Sequence, residues 1–126
     1  MRVLIGIAAC VCLLGFASPS DAATIASPAI FGAHTQDIAR CVVYNAGSTA
    51  QTVTIRLLDE SGGVISTTTQ SLAPGQFLSR ASFISFGVAY ACSVTAGTTS
   101  TLRAAFVIEE QVFNSSPRPI RSAPLR

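Results

Sequence analysis

The chain has 126 residues, and eight basic residues, all of them arginine, stand against six acidic ones for a formal net charge of +2. A chain of this length holds one small domain. Nucleic-acid binding requires a basic patch interleaved with aromatic side chains, which this sparse charge does not provide. The length therefore predicts a single domain, and the sparse charge argues against a nucleic-acid partner.

The N-terminal residues have the pattern of an export signal. A basic Arg2 precedes an apolar run over residues 3–16, and Ser20-Asp21-Ala22 supplies the small residues that a signal peptidase reads. We expect a signal peptide over residues 1–22, cleaved after Ala22 or, as an alternative, after Ala23. The protein is then periplasmic or secreted.

The apolar run of this leader is too short for a comfortable bilayer span, and no second hydrophobic segment of about 20 residues follows it. We therefore expect no transmembrane segment once the leader is removed. Cys10 and Cys12 lie inside the leader and leave with it. The alternative is a lipoprotein in which Cys10 becomes the lipidated N-terminus.

The rest of the chain has the period of two that is typical of half-buried β-strands, and no helical period. The alternation predicts about seven strands in a single antiparallel β-sandwich over residues 24–113. Pro28 interrupts the first strand and marks it as an edge. Residues 114–126 are expected to form a tail or an edge strand. The predicted strands cover residues 24–31, 37–45, 51–59, 64–69, 76–84, 88–94 and 102–109.

Two cysteines remain after the leader, and both point inward in the predicted strands. Cys41 and Val43 share one face of their strand, because Arg40 on the other face requires water. Cys92 shares the inward face of its strand with Tyr90 and Val94. In an oxidising compartment, two inward cysteines on different strands indicate a disulfide that joins the two sheets. The sequence therefore predicts one inter-sheet disulfide, Cys41–Cys92.

The motif Tyr90-Ala91-Cys92 resembles the Tyr-x-Cys arrangement of immunoglobulin-like sandwiches, in which the tyrosine hydroxyl bonds back to the main chain. With Cys41 in the second-strand position and Leu72-Ala73-Pro74-Gly75 at a turn, the chain is similar to small exported bacterial domains with an immunoglobulin-like or fibronectin-III-like sandwich. This resemblance implies an immunoglobulin-like fold. The chain has no tryptophan, so the residue that packs on the disulfide in antibody domains is missing.

Catalytic and metal-binding patterns are weak. The lone His34 has hydroxyl neighbours, as polar surface residues usually do, and adjacent carboxylates such as Glu109 and Glu110 point to opposite sides of a strand. Asp59-Glu60 offers too few oxygens for a firm calcium site, and the mature chain lacks ligands for zinc. We expect no enzyme activity, no cofactor and no metal site.

Binding by contact is the function that remains. Val42, Tyr44 and Leu58 are apolar at positions that the alternation places outward, so they predict a contact surface for a protein or an envelope surface. The alternative is that the N-terminal strand or the tail covers them. A second hypothesis is a small periplasmic inhibitor or chaperone-like factor that inserts the loop carrying Phe83 and Phe86 into a partner.

Overall fold

A computed structural model describes residues 22–32, 36–110 and 118–126. The predicted signal peptide, except Ala22, and His34 lie outside these residues. The described chain is all β, because its sequence alternates throughout and offers no amphipathic helical stripe. Its strands are β1 (Ala23–Ala26), β2 (Ile30–Phe31), β3 (Gln36–Asn45), β4 (Gln51–Leu58), β5 (Val64–Leu72), β6 (Phe77–Phe83), β7 (Ala89–Ala96), β8 (Leu102–Glu110) and β9 (Arg118–Pro124).

The strands form two antiparallel sheets. The first has the order β1-β7-β4-β5, and β2 continues the line of β1 along β7. Pro28 lies between β1 and β2, at the sheet edge, as the sequence predicts. The second sheet has the order β6-β3-β8-β9. The C-terminal segment thus contains an edge strand that pairs with β8.

The core lies between the sheets and consists of the residues that alternate inward. The largest fully buried side chains are Phe106, Ile55, Leu57, Leu72, Ile108, Val43, Val53 and Val94. Cys41 on β3 and Cys92 on β7 are fully buried and form a disulfide with a Cα–Cα distance of 6.1 Å. The predicted all-β sandwich with one inter-sheet disulfide is therefore confirmed.

Phe106 and Leu57 surround the disulfide in place of the missing tryptophan. Phe106 lies directly opposite Cys41 in the ladder between β3 and β8, and Leu57 lies directly opposite Cys92. Directly opposed residues point to the same side of a sheet, so both side chains face the core beside the disulfide. An aromatic ring and a leucine thus fill the space that antibody domains give to tryptophan.

The terminal strands distinguish this sandwich from an immunoglobulin constant domain. There the first strand pairs with the strand of the first cysteine, and the last strand pairs with the strand of the second cysteine. Here β1 and β2 pair with β7, which carries Cys92, whereas β8 pairs with β3, which carries Cys41. Compared with a constant domain, the N-terminal strands β1 and β2 and the strand β8 have therefore exchanged sheets.

The start of β7 has the corner that its Tyr-x-Cys motif implies. The N–H of Ser85 donates a hydrogen bond of 2.9 Å to the hydroxyl of Tyr90, which is buried. Gly87 turns the chain between these residues with a φ of 76°, a left-handed conformation that favours glycine. This bond ties the loop between β6 and β7 to the core.

Both sides of the sandwich are closed by bonds between the sheets. On one side, Ala26 and Arg126 exchange two backbone hydrogen bonds, of 3.3 and 3.4 Å, which link β1 to the end of the chain after β9. On the other side, the Arg80 guanidinium on β6 donates to the Ser66 hydroxyl on β5. In the described ranges, no helix is long and apolar enough to cross a bilayer.

Candidate contact surface

The outer surface of the β6-β3-β8-β9 sheet carries an unusual number of apolar side chains. They arise because β3, β6 and β8 place apolar residues at both phases of the alternation, so that one set fills the core and the other faces outward. We call this surface the apolar face. Its apolar members are Ile38, Val42, Tyr44, Phe77, Ala81, Phe83, Ala105 and Val107.

An aromatic pair marks one end of the apolar face. Tyr44 and Phe77 are directly opposed on β3 and β6, and their ring centroids are 4.7 Å apart with planes tilted by 34°. Phe77 leaves 67% of its surface exposed, while Tyr44 is half-buried. An aromatic side chain this exposed at a sheet edge gains little from its own fold, so it is available for contact with another molecule.

A shallow depression of about 320 Å³ lies beside this pair. Its lining combines Tyr44 and Phe77 with the half-buried Val42 and with alanines from β8. Arg103 stands at its rim and is exposed, with its Nη1 donating to the backbone carbonyls of Ser100 and Leu102. The depression therefore offers an apolar floor and a cationic rim.

One ion pair is set into the apolar face. The Arg40 Nε donates to Glu109 Oε1 at 2.9 Å, and the Glu109 side chain is only 11% exposed. Among the described residues, no donor reaches Glu109 Oε2. Arg40 therefore donates to one oxygen of a buried carboxylate that would otherwise have no partner. The ion pair reduces the free-energy cost of burying the Glu109 charge.

Phe83 and Phe86 lie beyond the ion pair. Phe83 is 74% exposed, opposes Ile38 on β3, and borders a second depression of about 140 Å³ together with Arg40. Phe86 is 66% exposed in the following loop, next to Gly87. Both predicted loop aromatics are thus at the surface, and Phe83 also belongs to the apolar face.

Leu58 is not part of this surface. It lies on β4, in the other sheet, with its neighbours Ala91 and Val64. The hypothesis of one patch with Val42 and Tyr44 assumed that β3 and β4 are adjacent strands, and that assumption is wrong. Consecutive strands joined by a short turn here belong to different sheets, which places Leu58 on the opposite outer surface.

The described parts of the N-terminal strand and the tail do not cover the apolar face. β1 pairs with β7 in the other sheet, and β9 extends the same sheet beside β8. Each therefore adds a strand at a sheet edge and leaves the outer surface of β3 and β6 uncovered by these strands. Val42 and Tyr44 are half-buried by their neighbours within the sheet.

Two informative residues were missed in the sequence. Phe77 was included in a strand but was not recognised as outward, although it has the same parity as Phe83 and the two are six residues apart. Asn45, the last residue of the predicted strand 37–45, is polar and yet fully buried at the end of β3. Its Nδ2 donates to the carbonyls of Thr49 and Leu72, both at 2.9 Å, and so links β3 to the end of β5.

The Asp59 carboxylate organises its own turn. Its Oδ1 accepts hydrogen bonds from Ser61 Oγ at 2.6 Å, from the Ser61 N–H at 2.9 Å and from the Gly63 N–H at 2.8 Å. The Ser61 hydroxyl bond, with help from Gly63, lowers the pKa of Asp59 below its ordinary value of 3.8. Among the described residues, no three His, Cys, Asp or Glu side chains form a group that could hold a metal ion.

The acidic residues of the described chain lie at one end of the sandwich, together with Arg40 and Arg118. The five acidic residues of the described chain are Asp37, Asp59, Glu60, Glu109 and Glu110. All of them lie where β3 begins and where β4 and β8 end, which is also the end that carries the loop with Phe86. Because Arg40 pairs with Glu109 and Arg118 lies opposite Glu110 in the ladder, this end carries charged residues of both signs beside the exposed Phe86 ring.

No protein-family model matches this chain, and no curated protein matches it significantly. Among solved structures, the fold is similar to that in the crystal structure of Thermotoga maritima 1070, with a TM-score of 0.53 and 10% sequence identity. The match covers 80% of this chain and 90% of that chain. At this identity, the similarity concerns the fold alone.

Proposed function

We propose that this protein is an exported, non-enzymatic β-sandwich domain that acts by protein contact through its apolar face. The observation that carries the proposal is the Tyr44–Phe77 pair, an aromatic cluster on the open surface of a sheet. Aromatic residues are enriched at the centres of protein interfaces, where they fill pockets and exclude water.

The chemistry of the face defines the partner that fits it. The depression beside Tyr44 fits an apolar side chain, and the Arg103 guanidinium at its rim donates to a carboxylate or a carbonyl oxygen. The partner is therefore a protein segment that presents an apolar side chain next to an acidic or carbonyl group.

Export is supported by two independent features. The N-terminal sequence has the basic start, apolar run and small residues of a signal peptide. Cys41 and Cys92 form a buried disulfide, which is typical of oxidising compartments such as the periplasm or the exterior. Intact mass of the protein from its host tests this, because export predicts the loss of residues 1–22 or 1–23, whereas a full-length cytoplasmic chain refutes it.

The contact is tested with one variant on each face of the sandwich. Tyr44→Ala is expected to weaken capture of an envelope protein by more than about 1 kcal/mol, roughly five-fold, with little change in Tm. Thr54→Ala is the matched control, because Thr54 is also half-buried and outward, but on β4 in the other sheet. Equal binding by wild type and Tyr44→Ala would refute the apolar face as the contact site.

The second candidate is a periplasmic inhibitor or chaperone-like factor that inserts the loop carrying Phe86. The observation that favours it is the exposure of Phe86 in the loop between β6 and β7, where an aromatic anchor lies beside charged residues. Phe86→Ala discriminates the two functions. Loss of binding in Phe86→Ala with retention in Tyr44→Ala supports insertion of the loop, and the reverse supports the apolar face.

A further inference from the structure

The four sheet edges of the described sandwich differ in how they are protected against pairing with another chain. Native proteins protect sheet edges with proline, charge, bulges or short strands. β1 and β2 are short and separated by Pro28, while β9 contains Pro119 and Pro124 and a register shift. β5 has a register shift and mainly hydroxyl and amide side chains.

β6 differs from the other edges because it combines a regular register with exposed aromatic side chains. It pairs with β3 over seven residues in a continuous register, without proline or a bulge, and it has exposed phenylalanines at both ends. Arg80, at its centre, is the single charged residue of the strand. A regular apolar edge of this kind is a template for another strand.

The hydrogen-bond phase of β6 shows which backbone groups face the free edge. The N–H of Asn45 donates to the Gln76 carbonyl at 3.1 Å, and the N–H of Ile84 donates to the Asp37 carbonyl at 2.9 Å. Hydrogen-bonded pairs alternate along an antiparallel ladder, so the even-numbered residues between them bond to β3. The odd-numbered residues, whose N–H and C=O groups face outward from the edge, are Phe77, Ser79, Ala81 and Phe83.

These four residues are arranged symmetrically about Arg80. If β6 of a second copy pairs antiparallel with Arg80 on the two-fold axis, Phe77 lies opposite Phe83 of the second copy, and Ser79 lies opposite Ala81. Each aromatic ring then meets an aromatic ring, and each small side chain meets a small one. Both are favourable cross-strand combinations, and these odd-numbered pairs are the hydrogen-bonded ones.

We propose that β6 pairs with β6 of a second copy of this chain, in this register, to form a two-fold symmetric dimer with a continuous eight-stranded sheet. The pairing joins the two apolar faces into one surface twice as large. It uses backbone groups and phenylalanines that the monomer leaves at its edge, and it does not require the contact with a different protein partner proposed above.

The area involved indicates a weak dimer. The four phenylalanines of a dimer expose on the order of 500 Å² of apolar surface, whereas stable interfaces bury about 1,200–2,000 Å² in total. The two Arg80 side chains also face each other on the inner side of the paired strands, which opposes association. We therefore expect a dissociation constant on the order of 10–100 μM.

Sedimentation equilibrium of the protein from its host, with its disulfide formed, tests the dimer. Phe83→Ser is expected to weaken dimerisation by roughly ten-fold or more, since each dimer loses two aromatic pairs. Phe86→Ser is the matched control, because Phe86 is similarly exposed but lies outside β6. A monomer at about 1 mM, or equal weakening by both variants, would overturn the proposal.

The register is tested by cross-linking. Residues on the axis of an antiparallel pair have Cα atoms about 4.5–5.5 Å apart, which suits a disulfide. Arg80→Cys should therefore cross-link to itself under mild oxidation, whereas Ser82→Cys, about 13 Å from its symmetry mate, should not. Absence of the cross-link at position 80, or equal yields at both positions, would overturn this register.

Discussion

The centres of the two outer surfaces of the sandwich differ in chemistry. The outer surface of the sheet formed by β1, β7, β4 and β5 carries a row of four opposed threonines, Thr24, Thr95, Thr54 and Thr69. Their hydroxyls bond in pairs, Thr24 to Thr95 at 3.0 Å and Thr54 to Thr69 at 2.9 Å. We call this surface the hydroxyl face.

The apolar face has aromatic rings where the hydroxyl face has threonines. Threonine fits an exposed strand because its methyl group packs against its neighbours while its hydroxyl bonds locally or to water. Phe77 and Phe83 have no polar group that could bond to water, although most of each side chain is exposed. The two sheets therefore differ at the centres of their outer surfaces, while Phe31 on β2 and Val64 on β5 add exposed apolar side chains towards one end of the first sheet.

The largest expected effect comes from uncoupling the two sheets. Cys41→Ala with Cys92→Ala opens a loop of 51 residues, and the loop-entropy estimate of about 4 kcal/mol sets the upper figure. We expect a loss of roughly 2–4 kcal/mol in the free energy of unfolding, measured by denaturant titration. An unchanged Tm on reduction of the wild-type protein would contradict a stabilising role for the disulfide.

The ion pair within the apolar face should give the next largest effect. Arg40→Met keeps an apolar stem but leaves the buried Glu109 carboxylate without its cation, which should cost about 1–3 kcal/mol. Adding Glu109→Leu should restore most of this stability, because a buried ion pair is often replaced by apolar residues at little cost. A double variant as unstable as Arg40→Met alone would show that the charges are not the cause.

Hydroxyl removal on the other face should matter less. Thr54→Val preserves shape and β-branching, and Thr69 at the sheet edge is free to bond to water instead. We expect a change within about 0.5 kcal/mol in the free energy of unfolding. A loss above about 1 kcal/mol would mean that the threonine pairs are structural bonds rather than solvent-facing groups.

The smallest effect is expected from Asp59 and depends on pH. Its pKa in the folded protein lies below 3.8, so the ionised carboxylate stabilises the fold above that value, and this contribution is lost as pH falls through the folded pKa. Asp59→Asn should lower Tm slightly at neutral pH. The Tm of this variant should also fall less than that of the wild type when the pH is lowered. Glu60→Gln is the control, and the same loss of acid sensitivity there would contradict the role of the Asp59 turn.

The sequence by itself determined the alternation of each strand, and with it the inward pair Cys41 and Cys92 and the outward positions of Val42 and Tyr44. This was possible because side chains in a strand alternate with a fixed period, whatever the strand packs against. The Tyr90 hydroxyl bond could also be expected, because the motif and its corner involve residues close together in the chain.

Only the tertiary structure decided which strands are neighbours. Strand pairing depends on contacts far apart in sequence, and these removed Leu58 from the predicted surface, exchanged the terminal strands and placed Phe77 beside Tyr44. Asn45 shows the same limit, since its buried amide is satisfied by a carbonyl 27 residues away that no local pattern identifies. Which side chains of a strand point inward is a local property, whereas the strands that pair with it are set by packing of the whole core.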